Sequence, residues 1–132
     1  MDGSDDSLKA ADQAVVIASL HGSKLLVVHV VPSQTRTSTA APASENSVLN
    51  NAIDTWFERI KHNAQDARVD IETRVVSTGY SVGQVLVDLA EKEKVDLIVV
   101  GTRGTTGFKK LLLGSAALEV VSYSDCSVMI VK

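Results

Sequence analysis

One stretch limits the possible folds more than any other: a buried strand running directly into a glycine-rich turn and then a helix. Val95-Asp96-Leu97-Ile98-Val99-Val100 is apolar enough for a strand inside a sheet, and Gly101-Thr102-Arg103-Gly104 follows it. Nine residues separate Gly104 from Gly114-Ser115, after which Ala116-Ala117-Leu118-Glu119-Val120-Val121 opens a helix. In α/β proteins such a turn is where backbone N–H groups and a helix N-terminus can meet an anion. Glycine leaves no Cβ to block a phosphate, and Ser115 is expected to cap the helix or offer its hydroxyl. The spacing predicts a nucleotide phosphate site.

The remainder of the chain alternates in the same way. Ser4 or Asp5 caps a predicted helix to about His21, with Leu8, Ala11, Val15 and Ala18 on one face and Gly22 as its left-handed stop. Lys24–Val31 is continuous and β-branched, as in a strand buried on both faces, and Pro32 ends it. Residues 32–45 are rich in Ser, Thr, Ala and Pro without periodicity and predict a flexible loop. Val48, Leu49, Ala52, Ile53, Trp56, Phe57, Ile60 and Ala64 mark a long amphipathic helix, with both aromatic residues in the core. Val69–Ser77 alternates as a half-exposed strand, Thr78-Gly79-Tyr80-Ser81 makes a turn and cap, and Val82, Val85, Leu86 and Leu89 face inward from a helix. A helix at about 115–124 and a strand at 127–131 close the pattern. Alternation with short connections predicts an α/β fold: an open parallel sheet with helices on both faces, built as one domain over residues 1–132.

Charge and cysteine content narrow the function. Thirteen basic and sixteen acidic residues leave a net charge of −3, which argues against a dedicated nucleic-acid or membrane-surface binder. No apolar run approaches a membrane span and residues 1–20 carry no signal pattern, so a cytoplasmic protein is expected. The single cysteine, Cys126, begins an apolar strand and reads as an inert, buried thiol. His29 sits mid-strand and reads as a hydrogen-bonded core histidine, while His21 and His62 have no paired ligand spacing, so no metal site is expected. A P-loop and a dinucleotide fingerprint are both absent. The plainer role of turn-building suits Gly79, Gly83 and Gly107, and solvated lysines suit Lys109 and Lys110.

Gly101-x2-Gly104-x9-Gly114-Ser115 resembles the nucleotide signature of the ATP-binding branch of the universal stress protein family. Asp96–Gly101 looks like that family's fourth strand, Asp2-Gly3-Ser4 like its element after the first strand, and Cys126–Val131 like its last strand. The resemblance implies an adenine nucleotide alpha hydrolase-like fold with strand order 3-2-1-4-5. The strand that opens the family pattern has no counterpart before Asp2, where only Met1 stands, and a late start of the sequence is the favoured explanation. The resemblance also implies ATP as ligand. Asp2 would meet adenine or ribose, Val30 and Val100 would line the adenine slot, and Gly101, Gly104, Gly114, Ser115 and Ala116 would hold ribose and phosphates. Arg103 adds charge outside the signature, and no acidic pair announces Mg²⁺.

The resemblance implies an ATP-binding stress-response sensor or regulator. It is expected to be a homodimer through the last strand at Val128–Val131. The alternatives are a slow ATP hydrolase or switch enzyme, for which the loop offers no evident base, and a dimeric interaction module whose nucleotide site is no longer used.

Overall fold

The structure is a computed structural model and describes residues 1–32, 43–104 and 113–132. Residues 33–42 of the loop predicted at 32–45, and Gly107, Lys109 and Lys110, lie outside the described residues. Among the described residues eight elements alternate: α1 (Asp5–His21), β1 (Leu25–Pro32), α2 (Ala43–Asp66), β2 (Ile71–Thr78), α3 (Val82–Lys92), β3 (Leu97–Gly101), α4 (Ser115–Tyr123) and β4 (Ser127–Val131). The α/β alternation read from periodicity is therefore present, with strand limits displaced by one or two residues. Pro32 is the last residue of β1 rather than the residue after it, and α2 starts at Ala43, inside the stretch assigned to the loop.

The strands are all parallel and form two two-stranded sheets, β1 with β2 and β3 with β4. Leu25 lies opposite Ile71 and Pro32 opposite Thr78, while Leu97 lies opposite Ser127 and Gly101 opposite Val131. Helix α2 makes the first crossover and α4 the second, as parallel pairing requires. The pairs β2–β1 and β3–β4 are the two ends of the strand order implied by the family resemblance, and β1 and β3 do not pair with each other. The Met1 nitrogen donates to the Val28 carbonyl of β1, and the Met1 carbonyl lies 2.5 Å from His29 Nδ1. Helix α1 touches both sheets.

The main core follows from helical spacing. Ile53, Phe57, Ile60 and Ala64 recur along α2 and meet Ala11, Val15 and Ala18 of α1 over Val27 of β1. Ile60 is wholly buried, which contributes roughly 1.5–3 kcal/mol. Trp56 packs at the margin of this cluster, 5.9 Å from the His29 ring. His29 is buried, as its mid-strand position predicts. Only the Val27–His29 face of β1 is fully covered, however; Leu26, Val28 and Val30 are half-buried, so this strand is not sealed on both sides.

Helix ends agree with local chemistry. The Ser4 hydroxyl caps α1, and Gly22 stops it in the left-handed region at φ 63°, where a Cβ would strain the backbone. Ser81 caps α3. Gly83 does not build a turn: it is buried in the first turn of α3, and a Cβ there would collide with Glu119 of α4. Its role is close helix packing.

Candidate functional site

The residues after β3 are fastened to the start of the chain. Thr102 extends the β3–β4 ladder, its N–H donating to the Val131 carbonyl at 2.8 Å. Its carbonyl accepts from the Gly114 N–H at 2.7 Å, which closes the base of the 101–114 loop. Its hydroxyl, 2% exposed with the rest of the side chain, donates to Asp6 Oδ2 at 2.7 Å. Thr102 thus joins β4, the N-terminus of α4 and the first turn of α1.

Asp2-Gly3-Ser4 lies against the same loop. Asp2 Oδ1 accepts from the Ser4 N–H at 3.1 Å and the Ser4 hydroxyl at 2.6 Å, an Asx turn that fixes the carboxylate. The Ser4 hydroxyl is also 3.3 Å from the Arg103 carbonyl. The Asp2 N–H donates to Ser7 Oγ at 3.3 Å. The other carboxylate oxygen of Asp2 occupies the space a Cβ on Gly104 would take.

The glycines have separate steric reasons. A Cβ on Gly101 would stand 2.6 Å from the Asp6 carbonyl carbon and 2.8 Å from its oxygen, so β3 ends directly on the α1 backbone. A Cβ on Gly114 would be 3.3 Å from the Thr102 carbonyl oxygen. Gly114, not Ser115, is the N-cap of α4, with φ −71° and ψ 159°. The expected Ser115 cap is not formed: Ser115 is the first helical residue and is exposed, and the N-cap glycine has no side chain to bond the helix. A helix N-terminus presents backbone N–H groups and the positive end of the helix dipole, the setting in which anions bind.

The predicted site residues divide in two. Asp2, Gly101, Arg103, Gly104, Gly114, Ser115 and Ala116 fall on two neighbouring segments and the turn of helix they lead into. Val100 is in β3, one residue before Gly101 and opposite Ile130. Val30 belongs to the other sheet, in register with Val76 of β2. Sequence reasoning missed Ser4, Asp6 and Thr102 as parts of this cluster. Thr102 carried a signal, because a hydroxyl between a buried strand and a glycine must find a partner.

Arg103 is exposed, with its Nε 3.9 Å from Asp6 Oδ2. Burial holds the Met1 amine below its ordinary value, against the opposing pull of the Asp2 carboxylate. Among the described residues no group of three or more His, Cys, Asp or Glu side chains could hold a metal ion. No described helix is long and apolar enough to cross a membrane. Cys126 is half-buried and 3.5 Å from the Ser124 hydroxyl, less enclosed than an apolar strand start predicts. One surface cleft, lined by Ala90, Lys94, Tyr123 and Cys126, lies at the opposite ends of β3 and β4 from Gly101. A second cleft runs between α1 and α2 along Asp12, Val15 and Asn63.

The fold has close parallels. The profile described as the universal stress protein family matches residues 1–132. Universal stress protein MJ0531 of Methanocaldococcus jannaschii is 34% identical over 134 residues, covering 99% of this chain and 78% of that relative. The solved structure of hypothetical protein MJ0577 superposes with a TM-score of 0.82 at 25% identity, covering 100% of this chain and 91% of that one. A universal stress protein solved in complex with cAMP superposes at 0.74 with 34% identity, covering 100% of this chain and 92% of that one.

Proposed function

The chain belongs to the universal stress protein family, and from that premise we propose that it binds an adenine nucleotide at the turn between β3 and α4. One observation carries the reading. The Thr102 carbonyl draws in the Gly114 N–H, so the glycine turn and the N-terminus of α4 stand side by side. An anion there meets backbone donors and the positive end of a helix. ATP is the ligand implied by the signature, with ribose and phosphates on Gly101, Gly104, Gly114, Ser115 and Ala116 and added charge from Arg103. In this reading Asp2 meets adenine or ribose, and Val100 lines the adenine slot with Val30. The relative solved with cAMP, 34% identical, supports adenine recognition in this part of the family.

The biological role that fits is a sensor or regulator whose shape or partners change with nucleotide. Phosphoryl transfer needs a positioned water and charge stabilisation at the terminal phosphate. Among the described residues, the Ser4, Asp6 and Thr102 side chains hold the turn together. The reading places the protein in the cytoplasm and makes it a homodimer through β4.

A second reading has its own observation. Gly101 is required by contact with the Asp6 backbone, and the Asp2 carboxylate stands where a Cβ on Gly104 would be. Such contacts suffice to retain the glycines in an interaction module that uses no nucleotide.

Thermal unfolding with and without Mg-ATP separates the two. At 100 times Kd a ligand stabilises the native state by about 2.7 kcal/mol. In a domain of this size that moves the midpoint by roughly 10 °C. The nucleotide reading expects that shift in the wild type and its loss in Gly114→Trp. A folded wild type that shows no shift supports the interaction module.

A further inference from the structure

We infer that Asp6, through its pairing with Arg103, sets how strongly this site favours each added phosphate charge. The inference rests on the nucleotide reading above and deepens it. Asp6 lies in the first turn of α1, away from the signature residues in sequence. Yet its Oδ2 accepts the buried Thr102 hydroxyl at 2.7 Å and stands 3.9 Å from Arg103 Nε. The hydroxyl anchors the carboxylate, and the close approach of Gly101 to the Asp6 backbone anchors the turn of helix that carries it. The negative charge is therefore held at the edge of the phosphate turn and cannot swing away.

Two consequences follow for an anion on the turn. Arg103, the cation between the two glycines, is shared with Asp6, so a phosphate must compete for it. The fixed carboxylate also repels the phosphates, and that repulsion grows with their number. A monophosphate meets little of either effect and a triphosphate meets both. Asp6 thus acts as a specificity-determining residue that narrows the advantage of ATP over AMP. Thr102 is its positioning partner.

Asp6→Asn separates charge from structure, because an asparagine oxygen can still accept from Thr102. The measurement is the dissociation constant of the full chain for adenosine, AMP and ATP at low and high salt, by calorimetry. In Asp6→Asn the ratio of the AMP constant to the ATP constant is expected to rise about threefold, within the range for exposed charge pairs. Adenosine binding should be unchanged, and high salt should shrink the effect. Asp5→Asn makes the same change in net charge at an exposed position of the same turn and should leave the ratio near the wild-type value. Arg103→Gln, at an exposed site that does not endanger folding, should lower the ratio. An unchanged ratio in Asp6→Asn or in Arg103→Gln overturns the inference while leaving the nucleotide reading intact. So does an equal loss for all three ligands in Asp6→Asn, which makes Asp6 merely structural, or a matching rise in Asp5→Asn. A folded wild type that binds none of the three overturns both.

Discussion

The Thr102 hydroxyl donates to the Asp6 carboxylate at 2.7 Å across 96 residues of sequence, joining the end of β3 to the first turn of α1. Both ends of the bond are constrained, Thr102 by its ladder bond to Val131 and Asp6 by the helix that carries it. Replacing Thr102 with valine preserves shape and removes the donor, leaving a sheltered carboxylate oxygen short of a partner. The expected loss is about 1–2 kcal/mol, read as a lower urea midpoint at unchanged slope. Thr102→Ser keeps the hydroxyl and should lose only the methyl group, about 0.8 kcal/mol. A Thr102→Val variant as stable as wild type would show that the bond contributes nothing net.

Gly101 and Gly79 make a matched pair for a steric test. A Cβ on Gly101 would meet the Asp6 backbone at 2.6 Å, and backbone cannot rotate aside as a side chain can. A Cβ on Gly79 would meet nothing within 4 Å. Gly101→Ala is therefore expected to cost about 2–3 kcal/mol, and Gly79→Ala to stay within about 0.5 kcal/mol of wild type. Chemical denaturation of both variants checks the contrast. If Gly101→Ala proves as stable as Gly79→Ala, α1 does not rest on β3 as closely as described.

Much of this architecture was legible because it is written in local periodicity. The stripe Ile53, Phe57, Ile60 and Ala64 defines α2, and the β-branched run after Lys24 defines β1, whatever surrounds them. The glycine spacing located the turn for the same reason, since a backbone that must approach another backbone needs glycine wherever it occurs. Contacts between distant segments were not legible. Nothing in Asp5-Asp6 distinguishes a solvated helix start from the partner of Thr102, because both satisfy the preference for acids in a first turn. Gly83 was misread as a turn residue because its need arises from Glu119, on another helix. The cap of α4 was misplaced by one residue: serine is the stronger capping type, but the closing bond from the Gly114 N–H to Thr102 puts the glycine at that position.

The outer strand β2 carries a charge network whose effect depends on pH. Arg74 bonds Glu93 at 2.7 Å and Glu72 at 2.5 Å, and Lys24 reaches Glu72 at 3.3 Å. The Arg74 hydrogen bond, with help from Lys24, holds the Glu72 carboxyl below its ordinary value, and Glu93 followed by Glu72 raises the Arg74 guanidinium. A depressed native pKa means the unfolded chain binds the proton more readily. The Glu72 contribution is therefore complete above the ordinary carboxylate range, about pH 4–5, and is lost as pH falls through the native value. Wild type should be more stable than Glu72→Gln at pH 7, with the gap closing on acidification and in high salt. Melting curves from pH 7 to pH 3 test this, and a gap that does not vary with pH rules out the pairing as its source.

The last prediction concerns β4, which pairs with β3 on one side only among the described residues. Its outer edge carries unpaired backbone donors and acceptors, and Met129 on it is 38% exposed. Leu118 and Val121 add exposed apolar surface on the helix that leads into it. Monomeric proteins guard such an edge with charge, and the nearest charge here is Lys132, beyond the end of the strand. Pairing of two β4 edges about a two-fold axis would satisfy both rows of backbone groups at once, because the same surface serves on each copy. Light scattering is expected to give twice the monomer mass at micromolar concentration. Met129→Lys should return the mass to that of a monomer while preserving the far-ultraviolet circular dichroism, since the side chain is exposed. A wild-type monomer under these conditions would leave the β4 edge open and remove the dimer from the proposed function.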